Sequence, residues 1–267
     1  MSTEIHRGIT IKSENEISQM RQAGKIVAMT QIALANAIRV GISTLELDKI
    51  GEKEIRAKGA IPSFKGYMGF PSSICTSINN EIVHGIPSKR KIQNGDIVSI
   101  DVGAIYNGFH SDSAFTIGIG NISDKAKKLI SDTKSALQIG IESAKHSARV
   151  GDIGFSIQEY GEKSCYGIVK QYVGHGIGRN LHEEPQIPNY GNQGKGVELK
   201  NGMAIAIEPM FNLGTWETQV LSDDWTVVTA DGSLSAHFED TIIINDGIPQ
   251  ILSEIPGNKN IPIQKNN

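Results

Sequence analysis

Three carboxylates in this sequence border apolar, strand-like runs, where an isolated charge is costly. Asp101 ends the run IVSI, Glu208 follows AIAI, and Glu239 shortly precedes TIII. An unpaired charge in such a setting costs several kcal/mol unless a counter-charge is present. The three positions therefore predict a shared cation.

Asp101 is expected to share one face of a hairpin with Asp112. Strand-like runs flank Asn107-Gly108, a strong signal for a two-residue turn. This turn pairs Asp101 with Ala114 and Gly103 with Asp112, which places both carboxylates on one side, roughly 7–8 Å apart at the backbone. Charges this close need a proton or a cation between them. For Asp112 alone, an outward-facing polar hairpin is the alternative.

The segment VGHGIGRNLHEEP adds His175 and His182 to the candidate site. Carboxylates with one or two imidazoles suit Mn, Fe, Co or Zn better than a closed structural zinc site. Bridging carboxylates would hold two ions about 3.5–4 Å apart, an arrangement used in hydrolysis. The motifs HExxH, GxSxG and the P-loop are all missing, which excludes the simplest zincin, serine hydrolase and nucleotide-binding assignments. Either histidine alone could be a structural one.

Helices must precede the strands that carry these residues. The capping-box pattern at Ser13 begins a long amphipathic segment that should end near Gly41. A second box at Ser43 begins a helix that Gly59 can end, and strands are expected over 71–118.

Two internal matches predict duplicated α+β halves. The pattern RVG…GEK that begins at Arg39 recurs at Arg149, an offset of 110, and NG followed by a carboxylate recurs from Asn94 to Asn201, an offset of 107. Each half therefore predicts helix, helix, then strand. We expect one catalytic domain over 1–267, with halves at about 14–118 and 123–252 and a loose tail over 254–267.

Composition indicates an ordinary globular enzyme or binding protein. The chain has 267 residues, 39% of them hydrophobic, and 26 basic against 29 acidic side chains. It contains no basic run for nucleic acid, no apolar stretch for a membrane and no signal-peptide pattern, so we expect a cytoplasmic protein. Its cysteines, Cys75 and Cys165, predict neither a disulfide framework nor a thiolate metal site.

The motifs NEIVHGIP, SIDVGA…HSDSA, GHGIGRNLHEEP, AIAIEPM and SLSAHFEDTI occur in this order, up to about Leu252. Together they resemble the type I methionine aminopeptidases, metallopeptidases of family M24. The resemblance implies the pita-bread (creatinase/aminopeptidase) fold, pseudo-twofold halves with a curved antiparallel β-sheet covered by helices. It also implies removal of N-terminal initiator methionine, preferentially before a small second residue.

The resemblance further implies two divalent ions, with Co, Mn, Fe, Zn or Ni as candidates. Asp101 would chelate one ion and His175 the other, Asp112 and Glu239 would bridge them, and Glu208 would be both ligand and general base.

It implies the remaining site residues as well. His84 and His182 would contact the scissile peptide, and an apolar slot for methionine would be lined by Tyr67, Phe70, Cys75 and Trp225. Three positions depart from the commoner bacterial pattern. Phe64 occupies a position that is often cysteine, Met68 one that is often histidine, and Gly103 one that often carries a hydroxyl-bearing side chain.

Two other functions stay open from sequence. One is a pita-bread Xaa-Pro aminopeptidase or prolidase, which shares the five ligands. The other is a non-catalytic pita-bread binding protein, which would be expected to lose ligands. The preferred expectation is a monomer that acts on nascent polypeptides near the ribosome, without a specific nucleic acid or membrane partner.

Overall fold

The computed structural model describes residues 3–6, 8–255 and 261–266. The helices are α1 (Glu14–Ala37), α2 (Thr44–Ala57), α3 (Asp124–Ser143) and α4 (Val150–Lys163), and a 3-10 turn covers Tyr67–Gly69. The strands are β1 (Thr3–His6), β2 (Ile9–Ile11), β3 (Ile61–Pro62), β4 (Ile74–Ile78), β5 (Glu81–Val83), β6 (Ile97–Tyr106), β7 (Phe109–Ile119), β8 (Gly167–Ile168), β9 (Gly174–Gly176), β10 (Glu183–Ile187), β11 (Ala204–Ile207), β12 (Met210–Asn212), β13 (Thr218–Val220), β14 (Val227–Thr229), β15 (Ser235–His237), β16 (Glu239–Ile243), β17 (Gln250–Ile251) and β18 (Gln264–Lys265). Among these described helices, none is long and apolar enough to cross a bilayer.

The first two helices begin where the sequence predicts them. The Glu16 carboxylate accepts a hydrogen bond from the backbone N–H of Ser13, at 3.0 Å, and Glu46 does the same for Ser43, at 2.9 Å. These reciprocal boxes satisfy backbone donors that the first helical turn leaves unpaired. The helices end at Ala37 and Ala57, shortly before the predicted glycines.

A ten-stranded sheet forms the centre of the fold. Its main path runs β10-β9-β11-β16-β7-β6-β3, with β4, β17 and β18 paired along it. Val98, Ile100 and Val102 of β6 belong to one buried core with Leu34 of α1 and Leu129 of α3. Because side chains alternate along a strand, the residues between these three face the other side of the sheet. The helices therefore cover one face and leave the other for the site.

The duplicated halves are visible in matching elements. Helices α2 and α4 have 14 residues each. Their N-cap residues, Ser43 and Arg149, each form an isolated β-bridge to the segment that precedes a strand of the central sheet. The match between RVG motifs was wrong as an alignment, however. Gly41 precedes α2 with a φ of 84°, whereas Gly151 lies inside the first turn of α4. The equivalent position to Arg149 is Ser43, not Arg39.

The end of the chain differs from the predicted loose tail. Residues 256–260 lie outside the described part, but β18 pairs in parallel with β7. The backbone N–H of Gly118 donates to Ile263 O at 2.9 Å, and that of Gly120 donates to Lys265 O at 2.9 Å. Ile261 and Ile263 also pack on the main core. Apolar residues spaced by two give this segment a face to bury, which the prolines and polar residues around it obscured.

Candidate active site and metal centre

The hairpin of β6 and β7 positions the first two carboxylates. Asn107 and Gly108 form its turn with φ of 48° and 78°, as a type I′ turn requires. Asp101 pairs with Ala114 and Gly103 with Asp112, so the predicted register is confirmed. Asp101 and Asp112 consequently face the same side of the sheet.

Strand β16 places a third carboxylate beside them. Glu239 of β16 is opposite Ala114 of β7, and Ala114 is opposite Asp101 of β6. Glu239, Ala114 and Asp101 therefore lie in one row across the sheet. Thr241 holds β16 and β7 together. The Thr241 hydroxyl accepts a hydrogen bond from the backbone N–H of Asp112 at 2.9 Å and donates one to the backbone carbonyl oxygen of Asp112 at 2.8 Å. These bonds to the backbone of Asp112 fix the distance between β7, which carries Asp112, and β16, which carries Glu239.

Strands β11 and β9 bring in the remaining two residues. Ile207 is opposite Asp240, and the next residue, Glu208, continues that register towards the row of carboxylates. His175 pairs with Ala206 of the same strand. Since Ala206 and Glu208 are two apart, His175 and Glu208 share the face already defined.

The five side chains line a cavity of ≈ 210 Å³. The same cavity brings together every other residue that the sequence assigned to the site, namely His84, His182, Tyr67, Phe70, Cys75 and Trp225. A larger cleft of ≈ 600 Å³ is lined by Glu239 but by none of the other four metal-ligand candidates. Chemistry rather than size therefore identifies the site.

Burial makes this concentration of negative charge unfavourable. It raises the pKa of Asp101 to about 7 and the pKa values of Asp112, Glu208 and Glu239 well above their usual range. Neighbouring carboxylates raise the pKa values of Asp112, Glu208 and Glu239 further. Four ionised carboxylates clustered in one cavity require a compensating cation.

The donor atoms fit a divalent metal. Oδ1 of Asp101, Oδ1 of Asp112 and Oε1 of Glu239 are buried and have no hydrogen-bond partner among the residues that the structure describes. Asp112, His175 and Glu239 each offer one ligand atom, and these atoms lie within 4.8 Å of one another. Buried oxygens left unpaired are rare unless a ligand completes them. Carboxylate oxygens with an imidazole nitrogen suit a divalent first-row metal.

His175 is prepared to act as a ligand. Its Nδ1 lies 2.8 Å from the carbonyl oxygen of Gly176. Because a carbonyl can only accept, Nδ1 carries the proton and Nε2 presents its lone pair. Burial lowers the pKa of His175 to about 3, so the ring is neutral. Its Nε2 lies 3.9 Å from Oε1 of Glu208.

His84 lines the cavity beside the aromatic residue Trp225. Its backbone has a φ of 61°, and its ring packs edge-on against Tyr172 and Trp225, with centroids 5.6 and 6.2 Å away. Burial lowers its pKa to about 4. A neutral ring of this kind can donate a hydrogen bond to a substrate oxygen.

His182 lies exposed at the mouth of the cavity. Its Nδ1 is 2.6 Å from the hydroxyl oxygen of Tyr67, and its ring meets that of His175 edge-on with centroids 4.3 Å apart. Partial burial lowers the pKa of the ring. The segment GHGIGRNLH thus places one histidine among the carboxylates and the other beside them.

Apolar side chains form the rest of the wall. The rings of Phe70 and Trp225 pack edge-on at 5.0 Å, and Cys75 is buried opposite Asp101 on β4. Burial and the nearby carboxylates raise the pKa of the Cys75 thiol, so the sulfur is uncharged. Aromatic rings and a soft sulfur suit an apolar thioether side chain.

Sequence reasoning missed two residues of this region. Leu181 lines the cavity next to His182. His237 is 2% exposed, and its Nε2 lies 3.6 Å from Oε2 of Glu208 and has no hydrogen-bond partner in the described part of the chain. The sequence carried no usable signal for His237: it stands two positions before Glu239 in SAHFED, but the two residues lie on β15 and β16, which belong to different sheets.

The sequence matches the model of metallopeptidase family M24 over residues 18–246. The chain belongs to this family. A methionine aminopeptidase of Clostridium acetobutylicum is 53% identical over 246 residues, which cover 92% of this chain and 98% of that protein. Methionine aminopeptidase 1 of Bacillus subtilis is 51% identical over 247 residues, 92% of this chain and 100% of that protein.

Solved structures of similar proteins agree with this assignment. The methionine aminopeptidase of Rickettsia prowazekii superposes with a TM-score of 0.91 at 42% identity, covering 92% of this chain and 100% of that one. The prolidase of Pyrococcus furiosus gives a TM-score of 0.76 at 25% identity, and the match covers 91% of this chain but 65% of the prolidase. The predicted α+β pita-bread fold is confirmed.

Proposed function

We propose that this M24 chain is a methionine aminopeptidase, which removes the initiator methionine from nascent proteins and peptides, preferentially before a small second residue. The observation that carries the proposal is one cavity that joins five metal-ligand candidates to an apolar wall. A free N-terminal amine can approach the acidic end while an unbranched apolar side chain fills the other. Relatives of that name match nearly the whole chain.

Two divalent ions are proposed as the cofactor, with Co, Mn, Fe, Zn or Ni as candidates. Asp101 would chelate one ion and His175 the other, with Asp112 and Glu239 between them and Glu208 as a further ligand. The unpartnered buried oxygens of Asp101, Asp112 and Glu239 support this set. When bound, such ions lower the pKa of water and polarise a carbonyl oxygen.

The side chains supply the proton transfers and hold the substrate. Glu208 would take the proton of the attacking water and pass it to the leaving amine, as a general base and then acid. Neutral His84 and His182 would donate hydrogen bonds to the scissile carbonyl oxygen as negative charge develops on it. Tyr67, Phe70, Cys75 and Trp225 would bind the methionine side chain and exclude polar ones, whose hydrogen bonds they cannot replace.

Prolidase or Xaa-Pro aminopeptidase activity is the weaker alternative. It would use the same five ligands, but the chain is 25% identical to the P. furiosus prolidase and 42% identical to the R. prowazekii methionine aminopeptidase. A non-catalytic pita-bread module would not need the whole ligand set, which is present here. We further propose one domain over 1–267, a monomer in the cytoplasm, and action on chains that emerge from the ribosome.

The test is peptide hydrolysis by purified protein supplied with Mn or Co. Met-Gly-Met-Met should release methionine, while Ala-Pro peptides should remain intact. Chelation should abolish turnover, and Asp101→Asn should lower it by more than about a hundredfold with weaker metal binding in a calorimetric titration. Asp124→Asn, at a carboxylate whose side chain is 99% exposed, is the matched control.

Each result decides between the candidate functions. Cleavage of Ala-Pro peptides without methionine release would favour the prolidase, and absence of turnover with every metal would contradict the enzyme assignment.

A further inference from the structure

A short hydrogen bond joins the side chains of Tyr67 and His182 at the cavity mouth. The hydroxyl oxygen and Nδ1 are 2.6 Å apart, and the two rings meet at 64° with centroids 5.2 Å apart. On its other side the His182 ring contacts His175. The imidazole is therefore held between a phenol and a proposed metal ligand.

The backbone around Tyr67 is shaped to present this side chain. Gly66, Met68 and Gly69 all have left-handed φ values, of 88°, 46° and 92°. The turn is closed by hydrogen bonds from Tyr67 N–H to Phe64 O, at 2.9 Å, and from Phe70 N–H to Tyr67 O, at 2.8 Å. A methionine in the left-handed region is strained, and such strain persists where the surrounding structure holds a functional geometry.

We propose that Tyr67 is a positioning residue whose hydroxyl donates to Nδ1 of His182 and so keeps the ring proton on Nε2. A neutral imidazole donates from one nitrogen and accepts at the other, so the partner of Nδ1 decides the tautomer. A phenol is a better donor than acceptor, which favours this direction. Nε2–H then becomes the donor for the scissile carbonyl; this step rests on the role proposed for His182.

Tyr67 would then be a hydrogen-bond partner of His182 as well as part of the wall of the methionine slot. A tyrosine that only lined the methionine slot could be replaced by phenylalanine with little loss, because the ring and its apolar surface remain. A tyrosine that sets the tautomer cannot, because its effect depends on one hydroxyl. Tyr67→Phe therefore separates the two roles.

The direct readout is the tautomer of His182, measured by long-range proton–nitrogen NMR on protein labelled at histidine nitrogens. The signals are assigned as those missing from His182→Ala, and the metal-free protein is used so that no turnover is required. Wild type should show the Nε2–H form, and Tyr67→Phe should show a mixture of both tautomers. Tyr172→Phe, beside His84, should leave the His182 signals unchanged.

Kinetics on Met-Gly-Met-Met provide the second readout. Tyr67→Phe should lower kcat by about tenfold with KM within about twofold, the loss expected when one positioned donor is weakened. In the His182→Ala background the same change should have no further effect, because the two residues act as one unit. Both variants should retain the metal stoichiometry of wild type.

The outcomes separate this inference from the proposed function. An unchanged Nε2–H signal in Tyr67→Phe, or kinetic effects of the two substitutions that multiply, would overturn the positioning role even if the enzyme releases methionine. A mixed tautomer in a protein that releases no methionine would uphold the contact and contradict the proposed function instead.

Discussion

Gly103 shows how the absence of one side chain shapes the cavity. A Cβ at this position would lie 2.7 Å from Cβ of Ser63 and 2.8 Å from Cε1 of Phe64. The Phe64 ring is buried and lines the cavity, so it occupies space that a side chain at 103 would need. Phe64 and Gly103 are thus one feature of the cavity: the phenylalanine ring fits because β6 carries glycine at this position.

Gly103→Ser is expected to destabilise the protein by about 1–3 kcal/mol, since an overpacked site must displace the ring or the backbone. Methionine release should fall as Phe64 is pushed into the cavity. Urea unfolding and peptide kinetics measure the two effects. Gly247→Ser, where the nearest atom to a Cβ is 3.8 Å away, should change neither.

The compensating change tests the coupling of the two positions. Combining Gly103→Ser with Phe64→Ala removes the blocking ring, so the double variant should be more stable than the sum of the two single losses predicts. Additive losses would show that Phe64 is not what a side chain at 103 meets.

Residues that come into contact only in the folded chain mark the limit of what the sequence could predict. Asp101, Glu208 and Glu239 were predictable because each borders an apolar run, a local property of the chain. The proximity of His237 to Glu208 depends on strands far apart in sequence, so its spacing from Glu239 carried no signal. The Tyr67 contact with His182 crosses 115 positions and has no local signal at all.

At the scale of elements, the strand register that a turn determines was predictable. An alignment of the two halves that rests on three identical residues was not reliable. The Asn107-Gly108 turn gave all ten pairs of β6 and β7. The RVG match failed because three identical residues can occur in a loop before α2 and within α4 alike. The capping boxes succeeded because they name the physical cause of a helix start.

Helix α1 packs against the backbone of the segment that follows β17. A Cβ at Gly24 would lie 2.1 Å from the carbonyl oxygen of Leu252, whereas a Cβ at Gly140 of α3 would meet Cδ1 of Ile157 at 2.8 Å. A side-chain methyl can move, whereas the backbone carbonyl of Leu252, whose own N–H is bonded to Thr241 O, cannot move without displacing the chain. The two helical glycines therefore have different tolerance for a methyl group.

Gly24→Ala is expected to cost at least about 2 kcal/mol even though alanine favours helix by about 1 kcal/mol. Gly140→Ala gains the same propensity against a softer contact, so its net effect should lie within about 1 kcal/mol of zero. Thermal and urea unfolding of the two variants measure the difference. Equal losses would mean that the contact of α1 with Leu252 yields as easily as a side chain.

At the scale of the whole molecule, the two halves are joined through the end of the chain as well as through the sheet. Strand β16 of the second half pairs with β7 of the first, and β18 then returns to β7 at a different point. Lys265 donates from Nζ to the carbonyl oxygens of Ala35 and Asn36 near the C-terminus of α1, at 3.0 and 2.5 Å. A cation there satisfies carbonyls that the helix leaves unpaired.

Truncation after residue 260 tests whether this segment stabilises the molecule as one unit. It would remove the backbone hydrogen bonds donated by Gly118 and Gly120, the packing of Ile261 and Ile263, and the Lys265 contact. We expect a loss of about 2–4 kcal/mol, or roughly 5–15 °C in Tm.

Unfolding of the truncated protein should remain a single transition, coincident by circular dichroism and tryptophan fluorescence, because β16 still joins the halves to one sheet. Lys265→Met should give a smaller loss of about 1 kcal/mol, and Lys125→Met, at an exposed lysine of α3, should give none. Two separate transitions would show that the halves depend on the terminal strand to unfold together, and an unchanged Tm would show that β18 contributes nothing to the fold.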